Sequence, residues 1–453
     1  MEETRTCAFA TLGCKVNQYD TEALMAAFRK RGYKIVDFDS RADVYCINTC
    51  TVTVTSDHKS RQLVRRARKR NPDAVVVVTG CYAQVAPEEI SEIPGVDVIV
   101  GTRGRSMIPD LVEKVREEGG PLVAVEPVGD QRAFEETPID MVARRTRVYV
   151  KIQEGCNQFC AYCRVPFARG PLRSRRPGDV IAEVERLLGV GYKEIVLVGI
   201  HLGLYGVDLG TADENSGDGK KIDLAAIVER LLALPGEWRL RLSSIEPMDL
   251  DQTLIEVLAS SPKAARHLHI PLQSGDAEIL KLMGRPYSPE DYASLVERIR
   301  ANIPECAITT DLMVGFPQET EERFERSLQF VRQMEFSRLH VFRYSKRPGT
   351  RAATFQGQVD AAVAERRSER ARELGRELSL KFHKSMIGKQ YGILIEEEGP
   401  GQLLQGLTDT YVRVYVPRGG EEIRDFLPVE VIRASSEYVT GRIAKSDASS
   451  AIN

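Results

Sequence analysis

The sequence predicts a three-part α/β protein. It has an open parallel sheet at the N-terminus, a partial (β/α) barrel of six units in the centre, and a small all-β barrel-like module at the C-terminus. Three observations carry this. At 453 residues the chain has room for about three domains of ~150 residues. Short apolar runs alternate with amphipathic stretches over most of its length, as parallel sheets with crossover helices require. After residue 390 the pattern changes to the alternation Tyr411-Val412-Arg413-Val414-Tyr415-Val416, which suits half-buried strands.

Residues 1–118 form the first unit. Strands are expected at Cys7–Thr11, Val44–Asn48, Ala74–Thr79 and Val96–Val100, and helices near Asn17–Arg31, Ser56–Arg70 and Pro87–Ile93. Residues 119–146, with Gly119-Gly120-Pro121 and no clear period, read as a linker. Residues 147–383 repeat strand then helix, with strands near Val148–Gln153, Glu194–Gly199, Arg239–Ile245, His267–Leu272, Ala307–Val314 and Leu339–Phe342. Six units fall short of the eight that close a complete barrel, which leaves the side open to a large substrate. The Gly/Asp/Asn-rich stretch Gly206–Lys221 reads as a surface loop. Residues 384–446 follow the charged helical segment Ala361–Lys384 and hold about five strands between Gln390 and Ile443, with turns at Gly399-Pro400-Gly401 and Gly419-Gly420. Residues 447–453 have nothing to bury and read as a disordered tail.

Composition narrows the function classes. Hydrophobic residues at 42% and charged at 28% describe an ordinary globular protein. No apolar run approaches the ~18–20 residues of a membrane span, and the opening MEETRTC lacks the basic, apolar pattern of a signal peptide. A cytoplasmic protein without a membrane partner is expected. With 63 Lys plus Arg against 65 Asp plus Glu, the charge offers nucleic acid no global attraction, so such a partner must be held locally. Nine cysteines in a reducing compartment point to metal ligation or catalysis rather than disulfides.

The cysteines fall into two constellations. Cys156, Cys160 and Cys163 lie in one loop after the first barrel strand, at the strand end where such folds place their chemistry. Three thiolates from one loop can ligate three irons of a [4Fe-4S] cluster and leave the fourth open. Zinc is the rival, completed by a histidine from elsewhere. Cys14, Cys50 and Cys81 each follow one of the first three expected strands. In a parallel sheet those ends gather at one edge, so three residues 36 and 31 apart would converge on a second cluster. Buried cysteine as a small hydrophobe accounts better for Cys7, Cys46 and Cys306; Cys46 stays open as a substitute ligand.

The loop at Cys156–Cys163 in its six-unit setting resembles the radical S-adenosylmethionine superfamily. Thr11–Asp20 (TLGCKVNQYD) and Ile47–Thr53 (INTCTVT), with Arg173-Ser174-Arg175, His269–Gly275 and Gly315-Phe316-Pro317, closely resemble the methylthiotransferases of that superfamily, and the tail resembles their RNA-binding TRAM domain. The sequence Lys15-Val16-Asn17-Gln18 looks most like the branch acting on threonylcarbamoyladenosine next to the anticodon of tRNA. The resemblance implies two [4Fe-4S] clusters and S-adenosyl-L-methionine. It also implies reductive cleavage of the latter to a deoxyadenosyl radical at Cys156, Cys160 and Cys163, and sulfur supplied at Cys14, Cys50 and Cys81. Homolysis fits a target whose C–H bond no side-chain base removes at neutral pH. An electron donor such as a flavodoxin or ferredoxin is implied as a further partner.

The same resemblance assigns cofactor contacts. Tyr162 takes the position whose backbone holds the adenine, and the turn from Gly199 to Gly203, with His201 as a candidate polar contact, the position that meets the amino group. From their places at strand ends, Glu246 could reach the ribose hydroxyls, and Gln273 with Ser274 cofactor or base. As plain residues, Tyr162 is a packing aromatic, His201 an exposed loop histidine and the others ordinary strand-end groups. Basic runs at residues 59–70, 144–147 and 173–176 are either solvated faces or phosphate contacts. RNA contact is expected for the third, or else Arg173 and Arg175 anchor the cofactor carboxylate. Two other functions remain open: sulfur insertion into isopentenyladenosine tRNA or a ribosomal-protein aspartate, and a zinc-stabilised RNA-binding protein without catalysis.

Overall fold

The computed structural model describes residues 4–129, 133–137, 139, 146–210 and 222–444. In the first unit, β1 (Thr6–Thr11), β2 (Lys34–Val36), β3 (Val44–Thr49), β4 (Val75–Gly80), β5 (Val98–Val100) and β6 (Leu122–Ala124) form one sheet in the order β2-β1-β3-β4-β5-β6. All neighbours run parallel. The central strands β3 and β4 are buried at every position, as expected of strands covered on both faces. The helices are α1 (Lys15–Lys30), α2 (Val54–Arg70), α3 (Cys81–Val85), α4 (Pro87–Ser91) and α5 (Ile108–Glu118).

Two strands depart from the sequence reading. The short edge strands β2 and β6 carry too few residues for a period to register, and β6 lies inside the segment read as a linker. Described residues of that segment pack against the barrel and the first unit. Ile139 is buried in the barrel core, Glu136 binds Arg175 at 2.8 Å, and Thr137 accepts a hydrogen bond from the Tyr19 hydroxyl at 3.1 Å. The basic residues Arg144 and Arg145, most of the loop to Lys221 and the tail from 447 lie outside the described residues.

The barrel strands are β7 (Arg147–Lys151), β10 (Glu194–Val198), β11 (Arg239–Leu242), β12 (His267–His269), β13 (Ala307–Val314) and β14 (Arg338–Arg343), with a two-strand ribbon of β8 (Gln153–Glu154) and β9 (Arg173–Ser174) between the first two. The strands pair as β7-β10-β11 and β12-β13-β14, and single parallel bridges at Leu240–Ala264 and Ser244–His269 join the two halves. Helices α6 (Val165–Arg169), α7 (Pro177–Gly189), α8 (Leu224–Leu232), α9 (Gln252–Ala259), α10 (Ala277–Met283), α11 (Pro289–Asn302) and α12 (Glu321–Met334) surround them. The long α13 (Ala361–Ser385), capped by Asp360, packs on β14.

The C-terminal strands β15 (Gln390–Glu398), β16 (Leu403–Thr408), β17 (Arg413–Pro417), β18 (Phe426–Ala434) and β19 (Val439–Ile443) close into a barrel in the order β15-β16-β17-β19-β18. Its core is separate, built on Tyr391, Ile393, Val414 and Val429. Closure removes the sheet edges that would otherwise template aggregation. Among the described residues no helix is long and apolar enough to cross a membrane.

Candidate two-centre active site

Cys14, Cys50 and Cys81 follow β1, β3 and β4, which are neighbours in the sheet. Convergence is visible in the packing: a Cβ placed on Gly13 would lie 3.0 Å from the Cys50 sulfur. Asparagines fasten the three turns together. The Asn17 amide donates to the carbonyls of Leu12 (2.7 Å) and Thr49 (2.9 Å), and Asn48 donates to the carbonyl of Asn17 at 2.9 Å. The Thr49 hydroxyl donates to the Thr79 carbonyl at 2.6 Å and accepts from the Tyr82 amide. Asn17, Asn48 and Thr49, which the sequence motifs contain, therefore hold the cysteine-bearing turns in register.

Cys7 and Cys46 face each other at 3.9 Å inside the apolar core, and Cys306 is buried in the barrel core. Cys46 thus points into packing.

In the other constellation, backbone and side-chain N–H groups aim at the sulfurs. The amides of Gln158 and Val165 donate to Cys156 and Cys163, each at 3.4 Å. Arg285 donates to Cys160 at 3.5 Å and binds Glu246. Glu246 is therefore held by an arginine beside a cysteine. His201 is buried; its Nε2 meets Asp249 at 2.8 Å and its Nδ1 lies 3.4 Å from the Cys156 sulfur. Burial opposes charge on this imidazole, but Asp249 and Cys156 outweigh it and lift it to about 10. Its position against a cysteine sulfur replaces the expectation of an exposed loop histidine. Burial pushes the Cys163 thiol up to about 12 and Cys50 up to about 11, so a cation is needed to hold them as thiolates.

The remaining sequence candidates divide. Tyr162 packs against Ile279, Met283 and Phe316, with its hydroxyl raised by burial. Gly199 lines a cavity shared with Cys14 and Cys50, and a Cβ there would crowd the Gln153 side chain at 2.9 Å. Gln273 adopts φ 67 and bridges β13 through backbone bonds with Asp311 and Met313. Ser274 is buried and bonded to Ser327 at 3.0 Å, a packing role. In the basic run at Arg173–Arg176, Arg173 and Arg175 are buried while Arg176 is exposed. Arg173 donates to the carbonyls of Arg169 and Pro171, and Arg175 is enclosed by Glu136 and Glu183. Neither is offered to RNA, and Arg175 is already paired twice over. In α2, Arg66 and Arg70 bind Asp39, Arg61 binds Glu89 and Arg68 binds Asp97, so much of that run is engaged within its own domain.

The sequence reading missed Arg169, one of the largest fully buried side chains among the described residues. It leaves the helix after the barrel cysteine loop and enters the other constellation, donating to the Cys81 sulfur at 3.3 Å. It also binds Asp20 and Glu154, each at 2.9 Å, and reaches Asn17. Lys151 at 2.7 Å and Arg105 at 3.1 Å complete the charge around Asp20. An Arg-Gly pair after a cysteine loop carries no periodic signal.

A cavity of about 670 Å³ joins all three parts of the chain. Its walls include Cys14, Cys50 and Cys81, the barrel residues Gly199, Arg241, His269 and Asp311, and Tyr411 and Arg413 of the C-terminal barrel. Cys14 is accessible from it, yet the surrounding protein still desolvates and raises its thiol. Burial, then Arg241 and Arg147, bring the Lys15 ammonium down to about 7. Among the described residues no three His, Cys, Asp or Glu close round a single ion. A four-iron cluster takes one thiolate on each of three irons, so both trios fit it on their donor chemistry: three sulfurs apiece, the barrel trio ringed by N–H donors and the N-terminal trio met by a guanidinium.

Residues 6–101 match the uncharacterized protein family UPF0004, residues 150–331 the radical SAM superfamily and residues 384–444 the TRAM domain. The chain is 42% identical over 445 residues to a Bacillus subtilis protein named threonylcarbamoyladenosine tRNA methylthiotransferase MtaB, covering 97% of this chain and 96% of that one. The chain belongs to the radical S-adenosylmethionine methylthiotransferase family. Within it, an Aquifex aeolicus MtaB is 37% identical, covering 90% of this chain and 95% of that one. A Clostridium botulinum tRNA-2-methylthio-N(6)-dimethylallyladenosine synthase is 34% identical, covering 95% of both. Among solved structures, the radical S-adenosylmethionine methyltransferase TsrM from Kitasatospora setae matches with TM-score 0.55 at 16% identity, covering 77% of this chain and 74% of that one, a likeness of fold. As a member of this family the methylthiotransferase uses S-adenosylmethionine with an iron–sulfur cluster.

Proposed function

We propose that this methylthiotransferase acts in the cytosol on threonylcarbamoyladenosine of tRNA, beside the anticodon at position 37, and inserts a methylthio group at an unactivated C–H carbon. The observation that carries the reading is a cavity shared by the N-terminal cysteine trio, the barrel interior and the C-terminal barrel. The names of curated relatives 42% and 37% identical to this chain support the substrate. In this reading Cys156, Cys160 and Cys163 hold one [4Fe-4S] cluster and Cys14, Cys50 and Cys81 a second. When bound, these groups and S-adenosylmethionine supply one-electron cleavage and the sulfur.

The protein's own residues position and insulate. His201, paired to Asp249, presents Nδ1 to the Cys156 sulfur; Arg285, paired to Glu246, presents a guanidinium to Cys160; and Arg169 does the same at Cys81. Each places positive charge beside a sulfur in a dry site, where it favours the thiolate. A base reaching this cavity must be splayed from its neighbours, which costs less in a single-stranded loop than in a duplex.

Replacing Cys14, Cys50 and Cys81 together by Ala should leave about four iron per chain out of about eight. Deoxyadenosine formation should persist and methylthio nucleoside vanish. Replacing Cys156, Cys160 and Cys163 should abolish deoxyadenosine formation while about four iron remain. Full methylthio product from the first variant, or zinc at one or two per chain in anaerobically prepared protein, would overturn the assignment.

A further inference from the structure

The cavity wall beside Cys14 carries unspent positive charge. Arg241, on β11, is 5% exposed. Its Nε donates to His267 at 3.3 Å, its plane lies 3.5 Å over the Tyr411 ring, and its Nη1 has no partner among the described residues. The buried hydroxyl of Ser243, the residue that follows the end of this strand, is also without a partner among the described residues. Lys15 lines the same cavity, next in sequence to Cys14, and no described residue accepts a hydrogen bond or ion pair from it. Two acids line the cavity: Asp311 is engaged with His269 at 3.3 Å, and Glu437 is exposed to solvent; Arg147 is taken up by Glu396 at 3.1 Å. A buried guanidinium N–H, a buried hydroxyl and an ammonium facing one cavity without an acceptor are costly to leave unmet.

We propose that Lys15, Arg241 and Ser243 form a carboxylate-binding pocket, which holds the acid at the end of the threonylcarbamoyl group and so selects this modified base. The inference rests on the substrate reading above. A planar carboxylate suits the guanidinium edge, with the hydroxyl and the ammonium completing its oxygens. A backbone phosphate is the poorer fit, because the pocket lies in the wall that carries Cys14, where the base itself must enter. The pocket also supplies discrimination by unpaired polar groups: a base with an apolar isopentenyl group would leave all three donors unmet, the situation that gives strong rejection of a substrate lacking its polar handle.

The test uses the holoenzyme and two anticodon stem–loop RNAs, one bearing threonylcarbamoyladenosine and the other its threonine methyl ester. Affinity and methylthio product are measured for both. The wild type should favour the acid by roughly 10- to 100-fold, the range of a hydrogen bond to a charged group. Lys15→Met and Arg241→Met should each bring the acid-to-ester ratio toward one, and Lys15→Arg should retain the preference. Because the ratio is taken within one preparation, a partial folding defect cancels. An unchanged ratio in both methionine variants, or equal binding of acid and ester by the wild type, would overturn the pocket. If the wild type binds the acid selectively, loses that selectivity in Lys15→Met, and yields no methylthio product from either RNA, the pocket stands and the substrate reading fails.

Discussion

At the scale of single residues, the informative side chains are the buried cations. Arg169 balances Asp20 and Glu154 in a space that excludes water. Burial raises the Glu154 carboxyl, but Arg169 and Lys151 prevail and bring it down to about 2. Removing one partner of such a network strands the others. Arg169→Met should therefore cost about 3–5 kcal/mol in denaturant unfolding, with Arg169→Lys recovering only part because an ammonium cannot reproduce the fork. His267 gives a pH signature. Burial, then Arg241, hold its imidazole well below 6.5, consistent with its Nδ1 accepting from Arg241. The unfolded chain takes up a proton near pH 6.5 that the folded chain refuses, so stability is present above that pH and lost below it. His267→Gln should remove about 1.4 kcal/mol per pH unit from the fall in unfolding free energy between pH 6 and 5. An equal slope in both proteins would mean that the folded imidazole is charged.

At the scale of elements, the strand-to-helix turns carry the chemistry. Gly80, the last residue of β4 and next to Cys81, has φ +97, and a Cβ there would meet the Asn48 side chain at 2.3 Å and the Thr49 carbonyl at 2.6 Å. Two penalties coincide, an unfavourable left-handed-side backbone and a collision with the groups that align the other turns. Gly80→Ala should shift Cys81 off the trio and lower iron from about eight toward about four per chain, with deoxyadenosine formation intact. Iron and sulfide assay of purified protein checks it, and full iron retention would mean that the turn tolerates the shift.

At the scale of the whole molecule, arginines on the strand ends of the central barrel dock the C-terminal one. Arg239 donates to the carbonyls of Gly392, Leu407 and Thr408, and Arg266 binds Asp409 at 2.6 Å. Burial lifts the Glu396 carboxyl to about 7 despite its Arg147 partner. The docked module thereby brings Tyr411 and Arg413 to the cavity mouth. Truncation after Ser385 should weaken tRNA binding by at least about tenfold, ~1.4 kcal/mol, while deoxyadenosine formation without tRNA persists, because both cysteine trios lie elsewhere. Unchanged affinity would remove the RNA-binding role from this module.

The sequence by itself determined the three-part α/β architecture, the six barrel strands, the closing β module and the placing of Cys14, Cys50 and Cys81 at the ends of neighbouring strands. Those features depend on local period and on where strands end, and both are written in neighbouring residues. The edge strands β2 and β6 escaped because three residues are too few to show a period. The fates of Arg173, Arg175, His201 and Ser274 were decided only by tertiary structure, since burial and the partner across a gap of tens of residues determine whether a polar side chain is spent or free. The same holds for Arg169, Lys15 and Arg241. An arginine reads alike on a solvated face and in a dry cavity, and only the packed chain distinguishes them, through the acids that come near and the water that is excluded.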